Sequence, residues 1–235
     1  STPLLLLAYD KIVARRINPH KKTGVSPVDE GFKVLVLGFG RVGQMAARLI
    51  NTQNIETTLI DYDGDHIEMT GRYGSKVYYG NAGDMDLLRT AGAANMDVII
   101  VAIDNVDLTT KIVHEIKQQF PKAKVLARAR NRSHILNLMA EGVDFAERET
   151  LRGGLSLGRK TLEYMGLDKD HANALAREFL RHDFEMLQAS FDMRNDENAL
   201  ITHNNKSRDY IKSALQGDAE HWKAKGKEAS PDGIE

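Results

Sequence analysis

The feature that most constrains this chain is a short apolar run that ends in a glycine-rich turn and continues as a helix. Lys33-Val-Leu-Val-Leu37 is continuous and rich in β-branched residues, the form of a strand buried on both faces of a parallel sheet. Gly38, Phe39, Gly40, Arg41, Val42 and Gly43 follow at once and open a segment with helical spacing over 41–52. Equivalent apolar runs recur at 57–60, 76–79, 97–102 and 124–127, separated by helical patterns over 41–52, 65–73, 84–91, 106–120 and 133–140. Strands alternating with helices of this length predict right-handed crossovers and an α/β fold, a Rossmann-type doubly wound parallel sheet, over residues 32–150.

The remainder divides by composition. Residues 18–31 hold two prolines and two glycines and read as a linker, so 1–31 form a helix-and-linker segment ahead of the body. After Gly142 the strand signal weakens. A helix is expected from about 169 to 192, with Leu175, Phe179 and Met186, beside Ala176, Leu180 and Leu187, on one apolar stripe. A stripe carried outside a complete sheet needs a partner surface, and a second copy of the chain is the economical one. Residues 151–222 are therefore read as a helical dimerisation extension, and 223–235, charged and containing Gly and Pro, as a flexible tail.

Charge and composition exclude several functions. Lys and Arg total 32 against 33 for Asp and Glu, so the net charge of -1 offers no bulk attraction to nucleic acid. The chain has no cysteine, which removes disulfides, thiolate metal sites and Cys nucleophiles. No metal site is expected. Eight histidines are scattered without a telling His–carboxylate pair, which disfavours a dehydrogenase, so the chain is not expected to be an enzyme. The apolar run Leu4-Leu-Leu-Leu-Ala8 is far short of the ~20 residues that span a bilayer. Lys11, Arg15, Arg16, His20, Lys21 and Lys22 follow it, the wrong order for a signal peptide. Two readings remain open: an amphipathic helix on the body, or the cytoplasmic end of a helix that begins upstream.

The glycine turn carries the chemistry. Gly40 lets backbone approach a phosphate, and the helix after it presents unpaired N–H groups. Asp61 ends the second strand 18 residues after Gly43, where an acid accepts ribose hydroxyls, and Asp63 stands beside it. An acid there favours an unphosphorylated ribose, so AMP, ATP or NAD(H) outranks NADP(H). Asn81, Ala82 and Asp84 after the third strand and Ala102 and Asp104 after the fourth bring backbone and short polar groups to the strand carboxyl ends, where open sheets bind ligands. Arg128 and Arg130 alternate at the end of the fifth strand, and one of them faces the phosphate; Arg128 is taken as the contact.

Taken in order, GFGRVGQ, LIDYD, YGNAGD, VAIDN and ARARN resemble the RCK/KTN family, regulators of potassium conductance, over residues 33–150. The preceding STPLLLLAYDKIVARR, together with ERETLRGG and the helical tail, looks like the regulatory domain of bacterial glutathione-gated potassium efflux antiporters, the Kef systems. The resemblance implies a cytoplasmic domain of an inner-membrane protein, joined to a membrane antiporter domain of the same polypeptide. It implies a homodimer with an adenine nucleotide, AMP or NAD(H), in the cleft. Glutathione would close the antiporter and its S-conjugates open it, and an ancillary flavin quinone reductase would dock on the domain. Carried over by position, the glutathione contacts are Arg48, Arg148, Tyr73 and Asp183, the last standing where relatives can carry Asn. Arg48 and Arg148 suit a tripeptide with two carboxylates. An RCK domain sensing NAD(H), ATP or a cation is the alternative.

Overall fold

A computed structural model describes residues 31–63 and 76–194. The chain divides into two units, the first ending at Gly154 and the second beginning at Leu155. The first contains β1 (Val34–Leu37), α1 (Arg41–Asn51), β2 (Thr57–Asp61), β3 (Lys76–Tyr79), α2 (Met85–Thr90), β4 (Val98–Val101), α3 (Val106–Gln119), β5 (Lys124–Ala129), α4 (Arg132–Ala140) and β6 (Phe145–Arg148). Helix α5 (Leu151–Tyr164) crosses the division, and α6 (Lys169–Asp192) lies in the second unit.

The six strands are parallel and run in the order β3-β2-β1-β4-β5-β6. That is the dinucleotide-fold order, whose direction reverses between β1 and β4 and leaves a crevice at their carboxyl ends. Strands β1 and β2 are buried throughout, Val34, Leu35, Val36 and Leu37 all lying inside, and β4 is buried at Ile99 and Val101. One face of the core gathers Val34, Val36, Phe39, Ala47 and Leu59, with α1 packed over β1 and β2. Helix α3 packs on β4 and β5 through Thr109, Ile112, Val113 and Ile116.

Five expected strands form within a residue or two of their sequence limits, and so do the helices at 41–52, 84–91, 106–120 and 133–140. The expected helix over 65–73, the segment 1–30 and the tail from 195 onward lie outside the described residues. One element goes beyond the expectation. β6 was not foreseen as a strand, and it pairs with β5 from Leu126↔Phe145 to Ala129↔Arg148. Helix α6 begins as expected, capped by Asp168, whose carboxylate accepts from the N–H groups of Asp170 and His171 at 2.9 and 3.1 Å. Its stripe is only partly covered: Leu187 is buried, whereas Phe179 is 50% exposed.

Candidate functional site

The crevice between β1 and β4 opens into a cavity of about 500 Å³. Gly38, Gly40, Arg41, Val42, Asp61, Asp63, Asn81, Ala82, Ala102, Asp104 and Arg128 line it, so most of the expected nucleotide residues stand around one space. Three do not line it. Phe39 turns its side chain into the core. Gly43 serves packing, since a Cβ there would stand 2.0 Å from the Gly38 carbonyl oxygen. Asp84 caps α2, accepting from the N–H groups of Asp86 and Leu87 at 3.0 and 3.2 Å.

The loop has the shape of an anion cradle. Gly38 adopts φ +91°, open to glycine, and a Cβ on it would meet the Ala102 carbonyl at 2.9 Å. Gly40 differs, because a Cβ there meets nothing within 4 Å, and the space above it is open. Gly40 is also the N-cap of α1, with no side-chain capping bond. The caps of α2, α3, α4 and α6 are Asp84, Asn105, Asn131 and Asp168, each accepting from its own helix. No acid sits in the first turn of α1, and Arg41 occupies its first position, an arrangement that opposes the helix dipole and suits a bound anion. These residues fit a nucleotide phosphate.

Asp61 is buried at the end of β2 and binds the loop directly. One carboxylate oxygen accepts from the Phe39 main-chain N–H and the other from the Asp63 N–H at 2.7 Å. A carboxylate oxygen can accept more than one hydrogen bond, which suits ribose hydroxyls. Across the cavity, Arg128 is nearly buried and ion-paired to Asp104 and to Glu149. Burial, then Arg41 and Arg130 nearby, hold its pKa below the ordinary guanidinium value.

Sequence reasoning missed several lining residues. Ile60, Tyr62, Gly80, Ile103, Asn105 and Leu108 complete the wall, and all but Leu108 lie inside or beside the motifs LIDYD, YGNAGD and VAIDN. Tyr62 is 73% exposed, an aromatic ring at the mouth of the cavity next to Asp61.

Against known proteins, the TrkA-N domain matches residues 34–148 and the potassium efflux system KefB C-terminal domain matches 153–230. A solved structure of the Shewanella denitrificans Kef C-terminal domain in its AMP-bound form is 31% identical, covers 68% of this chain and 98% of its own, and superposes with a TM-score of 0.64. The chain belongs to the Kef family of C-terminal regulatory domains. Glutathione-regulated potassium-efflux system protein KefC of Escherichia coli O139:H28 is 33% identical over 222 residues, 94% of this chain. The chain spans about a third, 36%, of that relative's length. The GsuK channel bound to NAD shares the fold alone, at 16% identity over 66% of this chain and 29% of its own with a TM-score of 0.53.

Of the positions carried over for glutathione in this Kef domain, Arg48 lies on α1 with an exposed side chain, and Arg148 ends β6. Asp183 is on α6 in the second unit, and Tyr73 lies outside the described residues. Among the described residues no helix is long and apolar enough to cross a membrane.

Proposed function

We propose that this Kef domain senses ligands and gates a potassium/proton efflux antiporter carried on the same polypeptide, at the cytoplasmic face of a bacterial inner membrane. An adenine nucleotide, AMP or NAD(H), occupies the cleft, and glutathione holds the antiporter shut while glutathione S-conjugates open it. The observation that carries the reading is the uncapped start of α1, with open space above Gly40 and Asp61 beside it, in a chain of the Kef family. The AMP-bound state of the Shewanella denitrificans domain favours AMP among the nucleotides. A regulatory family, rather than a catalytic one, supports the absence of turnover.

Residues 1–31 connect to the membrane part, 32–150 hold the nucleotide, 151–222 supply the dimer contact and 223–235 form a tail. A homodimer would cover Met45 and Leu49, each more than 70% exposed on α1, and Phe179 and Phe184 on α6. Arg48, Arg148 and Asp183 would contact glutathione, with Tyr73 meeting the sulfur substituent. The flavin quinone reductase belongs to the same reading.

Calorimetric titration of the 235-residue chain with AMP, NADH, glutathione and N-ethylmaleimide-glutathione tests this. The expected result is binding of AMP and of both glutathione species, with Arg48→Ala and Arg148→Ala each weakening both glutathione species together. Binding of nucleotide without either glutathione species would move the chain to the alternative, an RCK domain that senses the nucleotide itself.

A further inference from the structure

The ion pairs at the carboxyl end of the sheet form a run that the cleft chemistry does not require. Arg128 is the penultimate residue of β5, and its guanidinium pairs with Asp104, just beyond β4, and with Glu149, just beyond β6. One side chain therefore ties the ends of three neighbouring strands. Arg41, the first residue of α1, stands 3.9 Å from the other oxygen of the same Glu149. The two pairs of Arg128 are unequal: the Asp104 side chain is 76% exposed, whereas that of Glu149 is only 20% exposed. Water screens the first far more than the second.

Arg41 and Arg128 both line the cavity, whereas Glu149, which pairs with both, is not part of its wall. A phosphate at the start of α1 draws on the same two guanidiniums that Glu149 holds. We propose that Glu149 is an internal anion competing with the nucleotide phosphate for Arg41 and Arg128, so that filling the cleft releases the Glu149 side chain and is felt at the adjoining Arg148. The inference rests on the adenine-nucleotide reading of the cleft.

The local backbone favours a side-chain switch over unravelling of the strand. Glu149 N–H donates to the Ala129 carbonyl at 3.1 Å, and Arg148 pairs in register with Ala129, so the main chain stays on β5 when the carboxylate lets go. Arg128 needs an anion whichever partner supplies it, being buried and crowded by Arg41 and Arg130. Linkage makes the effect reciprocal: a ligand that requires the 147–149 segment in one arrangement changes nucleotide affinity by the factor through which nucleotide changes its own.

The test titrates AMP and adenosine, which lacks the phosphate, into the wild-type chain and Glu149→Gln by calorimetry. The proposal expects Glu149→Gln to bind AMP about five- to tenfold more tightly, the lower part of the usual coupling range, with adenosine unchanged. Equal or weaker AMP binding by the variant overturns it. Failure of the wild-type chain to bind any adenine nucleotide removes the cleft reading and this proposal with it. Should Glu149→Gln not fold, amide NMR of the wild-type chain decides. AMP, but not adenosine, must shift the Arg148 and Glu149 resonances, and unmoved resonances overturn the proposal.

Discussion

The main-chain N–H of Phe39 donates to the carboxylate of Asp61, binding the glycine loop to the end of β2 across 22 residues of sequence. The acid expected to take ribose hydroxyls is thus also the anchor of the loop that would cradle the phosphate. Asp61→Ala should lower the stability of nucleotide-free protein by about 1–3 kcal/mol, because two main-chain donors lose their charged acceptor. Nucleotide affinity should fall in the same variant. Chemical denaturation measures the first effect and calorimetry the second; affinity loss with full stability would mean that the loop does not depend on Asp61.

Gly43→Ala should damage folding, whatever ligand is present. Its Cβ would stand 2.0 Å from the Gly38 carbonyl oxygen, an impossible contact with main chain, so α1 must move off β1. A thermal midpoint as high as that of the wild type would show that the helix and strand do not meet as closely as described.

Asp144 ties the start of β6 to β5 and α3. It accepts from the Val125 N–H, Lys117 and Lys124, each at 2.9 Å. Burial works to raise its pKa, but these three donors outweigh burial and hold the carboxyl far below the usual range. A carboxyl depressed in the folded state stabilises above its unfolded value of about 3.9, and that stabilisation is lost as pH falls below it. Asp144→Asn should cost about 1–2 kcal/mol at pH 7, and the gap from wild type should narrow below about pH 4. A gap independent of pH would remove the charge from the explanation.

His134 is buried at the start of α4, and its Nδ1 accepts from the Arg130 N–H at 3.1 Å, which leaves the ring proton on Nε2. Burial first, then Arg128 on β5, lower its pKa, while Asp107 on α3 opposes them. The unfolded chain therefore binds a proton that the folded chain refuses. Stability should fall as pH drops below about 6.5, by up to about 1.4 kcal/mol per pH unit for one proton. Urea unfolding between pH 5 and 8 checks this, and His134→Asn should flatten that slope; an unchanged slope would assign it to another group.

Legibility followed how local each signal is. Strands β1 and β4 announced themselves as unbroken apolar runs rich in β-branched residues, and the apolar stripe through Leu175, Phe179 and Met186 announced α6. β6 was missed because it is an edge strand whose four residues include Glu147 and Arg148, so neither an apolar run nor a clean alternation marks it. The glycine loop and Asp61 could be read because they sit within one β-α-β unit. The role of Glu149 could not: Arg128 reaches it across 21 residues through the pairing of β5 with β6, a register no local pattern encodes. The glutathione positions came from family resemblance, and Tyr73 among them lies outside the described residues.

The central claim is that the cleft above Gly40 holds an adenine nucleotide, and Gly40→Ala tests it most directly. Gly40 has φ -67°, which alanine adopts freely, and a Cβ there meets nothing within 4 Å, so the thermal midpoint of nucleotide-free protein should stay at the wild-type value. That Cβ would enter the space where a phosphate approaches the backbone. Calorimetry with AMP should then show binding to the wild-type chain and at least about tenfold weaker binding to Gly40→Ala, a loss of about 1.4 kcal/mol or more. Equal AMP affinity in the two proteins, or no binding to the wild type, would contradict the account.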